Sequence, residues 1–300
     1  MHSKYLTLSL FIVALTSSCS ESQPSDYDLV IRDGTIFDGS GARGVVGDIG
    51  ISGDQIVAVG DIDGTGARTI DATGLYVTPG FIDMHSHSET FRLLNGGQGP
   101  SFAFQGFTTE IYGETVSMGP LGGQRRNELP DELLGKWDSF GEFLDYMEEV
   151  GISINVASYV GSGGLRANVM GYDDRAPTPD ELEQMLELVR QAMREGAIGV
   201  SAGMSYVPNI YMTSDELTEI VRAGADMGGI FANHARTMNG TDPEAISEAI
   251  AVGEKAGAPI HFFHLNSTSS TEADAFLAII DEARARGIKV TGDSYTYTWG

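Results

Sequence analysis

The sequence has 300 residues, of which 41% are hydrophobic and 9% aromatic, so the chain can bury a core and is not wholly disordered. Its 18 basic and 42 acidic residues give a formal net charge of −24. This charge repels phosphate backbones and anionic membrane surfaces, and no basic patch offsets it, so a nucleic-acid partner is excluded.

The first residues have the features of an export signal. Lys4 precedes a largely apolar run over residues 6–15, which is too short to span a bilayer. Small residues follow, and then Cys19, the only cysteine in the chain. This order resembles a bacterial lipoprotein signal, and the alternative is an ordinary secretory signal. We therefore expect a signal over residues 1–19, with Cys19 as a lipid anchor to the membrane, a tether over 20–26, and a periplasmic or extracellular protein.

Short strands and turns over residues 27–74 predict the amino-terminal part of a small β-sandwich. Residues 48–52 alternate apolar and polar side chains, and residues 55–60 return after a turn at Gly53 and Asp54. No residue in this region indicates chemistry.

From residue 75 to residue 300, apolar strands alternate with amphipathic helices. Thr178 with Glu181, and Thr213 with Glu216, each match the capping box that begins a helix. The strand candidates are residues 76–84, 108–112, 152–160, 197–201, 229–232, 259–263 and 288–291. Repeated strand-helix units imply a parallel sheet, and a series of this length favours a TIM-type (β/α)8 barrel over an open doubly wound sheet. Because the sequence stops soon after the last candidate, we expect the barrel to be truncated after about seven strands.

Histidines stand at or just past the carboxyl ends of several predicted barrel strands, the face on which barrel active sites assemble. In His85-Ser86-His87 the two imidazoles point the same way, because side chains of an extended segment repeat every two residues. Imidazole is a preferred ligand of zinc and similar divalent ions. With His234 and His264 at later strand ends, the sequence predicts a metal site.

Two further residues bear on this site. Glu114 ends the second predicted strand, where a carboxylate can bridge two metal ions about 3.5–4 Å apart. The alternative for Glu114 is a solvated loop carboxylate. His261 lies in the middle of a strand, three residues before His264, and we expect it to be packed or hydrogen-bonded rather than a ligand.

The glycine-rich runs at residues 96–97 and 161–164 match neither a phosphate-binding loop nor a dinucleotide fingerprint. We interpret both runs as flexible loops over the mouth of the barrel.

Several motifs together resemble the D-aminoacylase (N-acyl-D-amino-acid deacylase) branch of the amidohydrolase superfamily. They occur in the family's order and spacing from about residue 28 onward. The motifs are VTPGFIDMHSH at 77–87, GFTTE at 106–110, NVASYVG at 155–161, LR at 165–166, AMREGAIG at 192–199, FANHAR at 231–236, FHL at 263–265 and DSYTY at 293–297.

The resemblance implies zinc-dependent hydrolysis of the amide bond of N-acyl-D-amino acids, which releases a D-amino acid and a carboxylate. It implies that His234 and His264 hold a tight zinc and that His85 and His87 hold a second, weaker metal. The family's bridging cysteine is replaced by residue 114 or 115, and of these Glu114 is the credible bridge.

The resemblance also implies substrate contacts and a general base. Tyr297 and Arg166 match residues expected to contact the substrate, and Asn266 stands where the family commonly has lysine. The catalytic aspartate of the family follows the eighth strand and is expected beyond Gly300. Two alternatives remain open at this point: another amidohydrolase activity, such as cyclic-amide or D-dipeptide hydrolysis, and a non-catalytic exported binding protein.

Overall fold

The computed structural model describes residues 25–236, 242–267 and 269–295, and these form two compact units that divide after Pro79. The predicted signal with Cys19, the start of the tether, and Tyr297 lie outside the described residues. Across the described ranges, none of the helices combines the length and the apolarity that crossing a membrane requires.

The first unit contains one five-stranded sheet with the order β3-β2-β1-β4, in which β5 also pairs with β1. The β1–β2 and β2–β3 pairs are antiparallel, whereas β4 and β5 run parallel to β1. Gly53, at φ 61°, forms the predicted tight turn between β2 and β3. The strands are β1 Tyr27–Ile36, β2 Val45–Ser52, β3 Gln55–Gly60, β4 Gly66–Asp71 and β5 Tyr76–Val77.

The strand that the sequence predicts over residues 76–84 is two strands in the structure. The first part, β5, pairs with β1, while Phe81–Asp83 begins the second unit. Pro79 between them has no N–H to donate to a ladder. Gly80 lies so close to Thr108 that a Cβ there would be 2.1 Å from the hydroxyl oxygen. The two compact units divide after residue 79, five residues past the end of the predicted β-sandwich segment.

The second unit contains a three-stranded and a five-stranded parallel sheet, and in each of them the strands pair in chain order, as predicted for a TIM-type barrel. We call the two sheets together the wall. Two of its strand segments, β8 and β9, are halves of one strand interrupted at Tyr159, so all seven predicted barrel strands are present. The segments are β6 Phe81–Asp83, β7 Phe107–Tyr112, β8 Asn155–Ser158, β9 Val160–Gly161, β10 Gly199–Gly203, β11 Ile230–His234, β12 Ile260–Phe262 and β13 Val290–Gly292.

Helices follow these strands and pack on them through buried apolar side chains such as Val189, Val200, Phe231 and Ile250. Burial of these side chains supplies most of the stability of such a layer. The helices are α1 Glu89–Leu94, α2 Pro100–Phe104, α3 Phe140–Val150, α4 Ser162–Met170, α5 Pro179–Arg194, α6 Ser214–Ala225, α7 Pro243–Ala256 and α8 Ser270–Ala285.

The two predicted capping boxes form to different extents. Thr178 and Glu181 form the complete reciprocal box at the start of α5. At the start of α6, the Thr213 hydroxyl accepts the backbone N–H of Glu216, but the Glu216 carboxylate pairs with Arg166 instead of closing the box. A tertiary ion pair thus takes the place of a local capping contact.

The interpretation of the glycine-rich runs as flexible loops is wrong for residues 161–164. These residues are buried, and α4 begins among them, at Ser162. They pack directly against the chain that follows β7. The N–H of Gly163 donates to the carbonyl of Thr115 at 2.8 Å, and a Cβ at Gly161 would lie 2.4 Å from that oxygen. Gly97 is likewise buried in a turn after α1, at φ 75°. These glycines serve close packing rather than mobility.

Candidate metal centre

The structure brings together five side chains at the carboxyl ends of four barrel strands. His85 and His87 directly follow β6, and Glu114 follows β7. His234 is the last residue of β11, and His264 comes shortly after β12. The strands run parallel, so their carboxyl ends lie on one face of the wall, and residues far apart in sequence become neighbours there.

The Glu114 carboxylate lies at the centre of this group. Its Oε2 atom is 2.8 Å from Nε2 of His85 and 3.1 Å from Nε2 of His87. Its Oε1 atom is 2.9 Å from Nδ1 of His234 and 3.9 Å from Nε2 of His264. Each carboxylate oxygen thus has two imidazoles beside it, which is the arrangement that a carboxylate bridging two cations requires.

The unsatisfied polar atoms of this cluster fit a metal ion. His234 is buried, and both of its ring nitrogens lack a hydrogen-bond partner, as does Oε1 of Glu114. Nδ1 of His234 and Oε1 of Glu114 are close, but they do not meet at hydrogen-bonding angles. Buried polar atoms are nearly always satisfied, and a cation among imidazole and carboxylate ligands would satisfy these.

The electrostatics of the cluster keep the carboxylate charged. Burial by itself would raise the pKa of Glu114, but the imidazoles around it, with His234 foremost, hold the pKa of the carboxyl well below its usual range. The same carboxylate raises the pKa of His87, against the opposing effect of burial. An ionised carboxylate in a mostly buried site is a strong attractor for a divalent cation.

The backbone after β7 determines which of residues 114 and 115 faces the histidines. Gly113 and Thr115 both have positive φ, at 92° and 60°. The Thr115 hydroxyl is buried against Gly203, where a Cβ would lie 1.7 Å from it. The side chain that faces the histidines is therefore that of Glu114, the residue the sequence favoured.

A buried network behind the His85-Ser86-His87 segment was not anticipated from the sequence. Glu110, fully buried on β7, accepts hydrogen bonds from Ser86 at 3.3 Å, Ser88 at 2.9 Å and Nε of Arg92 at 2.5 Å. Ser86 separates the two histidines, so this network supports the segment that carries them. A glutamate inside a predicted barrel strand was the available signal, because such a charge is buried only when it is paired.

His261 is hydrogen-bonded through both ring nitrogens, as expected. Its Nδ1 is 2.9 Å from the Thr291 hydroxyl, and its Nε2 is 3.0 Å from Oδ2 of Asp293. Both ring nitrogens are thereby occupied within the wall.

The three residues assigned to the substrate have different outcomes. Arg166, predicted as a substrate contact, has a fully buried guanidinium that pairs with Glu216 at 2.5 Å. The charge of Arg166, on α4, is therefore paired with a carboxylate on α6. Asn266 lies two residues after His264 and accepts a hydrogen bond from Ser294 at 2.6 Å, while its buried Nδ2 has no partner. Tyr297 lies outside the described residues.

A wall of parallel strands with histidines and a carboxylate at its carboxyl ends is the TIM-barrel-like architecture of metal-dependent hydrolases. The family model described as the amidohydrolase family matches residues 68–293, so the chain belongs to the amidohydrolase family.

Known proteins similar to this chain agree with that assignment. D-aminoacylase of Alcaligenes xylosoxydans xylosoxydans is 34% identical over 293 residues, which cover 94% of this chain and 60% of that protein. A crystal structure of D-aminoacylase superposes with a TM-score of 0.81 at 31% identity, covering 91% of this chain and 59% of that one. N-acyl-D-glutamate deacylase from Bordetella bronchiseptica, solved with zinc and a phosphonate inhibitor, gives a TM-score of 0.75 at 29% identity, covering 90% of this chain and 59% of that one.

The chain spans about 60% of the length of the D-aminoacylase that it matches. The resemblance to D-aminoacylases that the sequence motifs indicate is confirmed.

Proposed function

We propose that the protein hydrolyses the amide bond of N-acyl-D-amino acids in a zinc-dependent reaction. The observation that carries this proposal is the placement of the Glu114 carboxylate between two pairs of imidazoles. The relatives add the substrate class, because they are named D-aminoacylase and N-acyl-D-glutamate deacylase. The inhibitor in the deacylase structure is described as a mimic of the tetrahedral intermediate, which suits attack on an amide carbonyl.

The two sides of Glu114 suggest how metal would be held. His234 and His264, with Oε1, are the proposed ligands of a tight zinc, and His85 and His87, with Oε2, those of a second, weaker metal. Zinc bound there would lower the pKa of a coordinated water toward about 7 and polarise the substrate carbonyl.

The surrounding aromatic side chains hold the imidazoles in place. The Phe263 ring stacks on His85 with 4.3 Å between centroids, and Phe263 is itself buried. The Tyr206 ring lies 4.8 Å from the ring of His234 and is 47% exposed, so it forms part of the side of the site that faces solvent. These ring contacts favour the observed imidazole orientations, in which ring nitrogens face Glu114.

A substrate panel tests the proposed reaction. The full-length protein, loaded with zinc, should release the free amino acid from N-acetyl-D-amino acids, and removal of zinc by a chelator should abolish the activity. The matched controls are the N-acetyl-L enantiomers, a cyclic amide and a D-dipeptide. Preferential hydrolysis of the cyclic amide or the dipeptide would replace the proposed substrate with that compound. A zinc-loaded protein that hydrolyses none of them would contradict the proposal.

A second prediction about the substrate concerns Asn266. A neutral amide attracts a carboxylate less than an ammonium does, because charge-assisted hydrogen bonds are roughly twice as strong as neutral ones. Asn266→Lys should therefore lower the KM for substrates with a free carboxylate by about 3- to 10-fold. The KM for the corresponding carboxamides should stay unchanged. Steady-state kinetics on the acid and amide pair provides the measurement, and equal changes in both KM values would show that residue 266 does not meet the carboxylate.

A further inference from the structure

His264 has an unusual backbone conformation for a proposed metal ligand. Its φ is +38°, whereas residues other than glycine rarely adopt positive φ. Such a conformation persists only where the surroundings impose it. Because the direction of the imidazole depends on this backbone, whatever stabilises the conformation also determines where Nε2 lies relative to Glu114.

Asp293, just past the end of β13, contacts this backbone directly. Its Oδ1 atom accepts the N–H of His264 at 2.5 Å. Its Oδ2 atom is 3.0 Å from Nε2 of His261, so both oxygens of the carboxylate are engaged.

The strands on either side do not need this carboxylate in order to pair. The backbone N–H of Leu265 donates to the carbonyl of Asp293 at 2.8 Å, and the N–H of Asp293 donates to the carbonyl of Phe262 at 3.0 Å. These main-chain bonds join the ends of β12 and β13 whatever side chain residue 293 carries. The side chain of Asp293 adds contacts to His264 and His261. The contact to His264 is made to the backbone N–H of the residue with positive φ.

We propose that Asp293 is a positioning residue for His264: its carboxylate holds the backbone of that histidine in the left-handed conformation and thereby places the imidazole beside Glu114. This inference rests on the proposed zinc centre. Without Oδ1, the peptide of His264 is free to relax toward negative φ, and the ring then moves away from Oε1. Zinc affinity should fall while the strands remain paired.

The test measures zinc binding by the full-length protein, using competition with a chromophoric chelator. Asp293→Ala should raise the dissociation constant for zinc by about 10–100-fold, which is the usual effect of losing a group that orients a metal ligand. Asp293→Asn keeps an acceptor for the N–H but loses the charge, so its loss should be smaller yet measurable. Excess zinc should restore kcat in both variants with KM unchanged, which damage to the fold would not allow.

Thr291→Val is the matched control, because it removes a side-chain hydrogen bond to His261 from the same strand and leaves Asp293 in place. Its zinc affinity should equal that of the wild type. Wild-type affinity in the Asn variant overturns the inference, even where the Ala variant does not fold. Wild-type affinity in a folded Ala variant does the same. A wild-type protein that binds no zinc instead refutes the proposed centre itself, so the two failures are distinguishable.

Discussion

Glu114→Gln is expected to remove most of the bound zinc and to lower kcat/KM by at least about 10²-fold, more than the 10–100-fold typical of a residue that only orients a ligand. Glutamine has nearly the same shape as glutamate but carries no charge. Its NH2 group would also place two donors where a cation must bind. Both sides of the carboxylate are affected, because each of its oxygens faces two imidazoles.

The neighbouring residue supplies the control for this prediction. The Thr115 hydroxyl has no hydrogen-bond partner and is buried against Gly203, so Thr115→Ala should leave the zinc content unchanged. Metal analysis of dialysed protein and the kcat/KM for an N-acetyl-D-amino acid are the two measurements. If Thr115→Ala loses zinc while Glu114→Gln retains it, residue 115 rather than residue 114 contacts the metal.

The proposed ligands could be predicted from the sequence because they depend on a simple rule. Strands alternate with helices, the carboxyl ends of parallel strands share one face, and each of His85, Glu114, His234 and His264 follows or ends a strand. Errors of one or two residues in the strand boundaries do not alter that placement. The capping box of Thr178 and Glu181 was predictable for a similar reason, since it is a local contact within one turn.

Contacts between distant segments could not be predicted in this way. Arg166 is committed to Glu216, which lies 50 residues along the chain, and nothing near Arg166 in sequence indicates that partner. Residues 161–164 look like a flexible loop because glycine adopts many backbone conformations. Their close packing against Thr115 is a tertiary contact, which the local sequence does not indicate. The contact of Asp293 with His264 spans 29 residues and depends on the register of two strands.

The buried pair of Arg92 and Glu110 has the largest predicted effect on stability. Both side chains are fully buried, and they meet at 2.5 Å. Arg92→Met should lower the free energy of unfolding by about 3–5 kcal/mol, because removing one partner leaves an unpaired charge in the interior. For a unit of this size, that corresponds to a fall in the melting temperature of about 6–20 °C.

The double variant Arg92→Met with Glu110→Gln separates the unpaired charge from the loss of packing. Replacing both members of a buried pair is often close to neutral, so the double variant should recover much of the stability that Arg92→Met loses. Urea denaturation followed by circular dichroism measures the three proteins. Equal stability of the single and double variants would mean that the loss of stability comes from lost packing of the arginine side chain rather than from the unpaired charge.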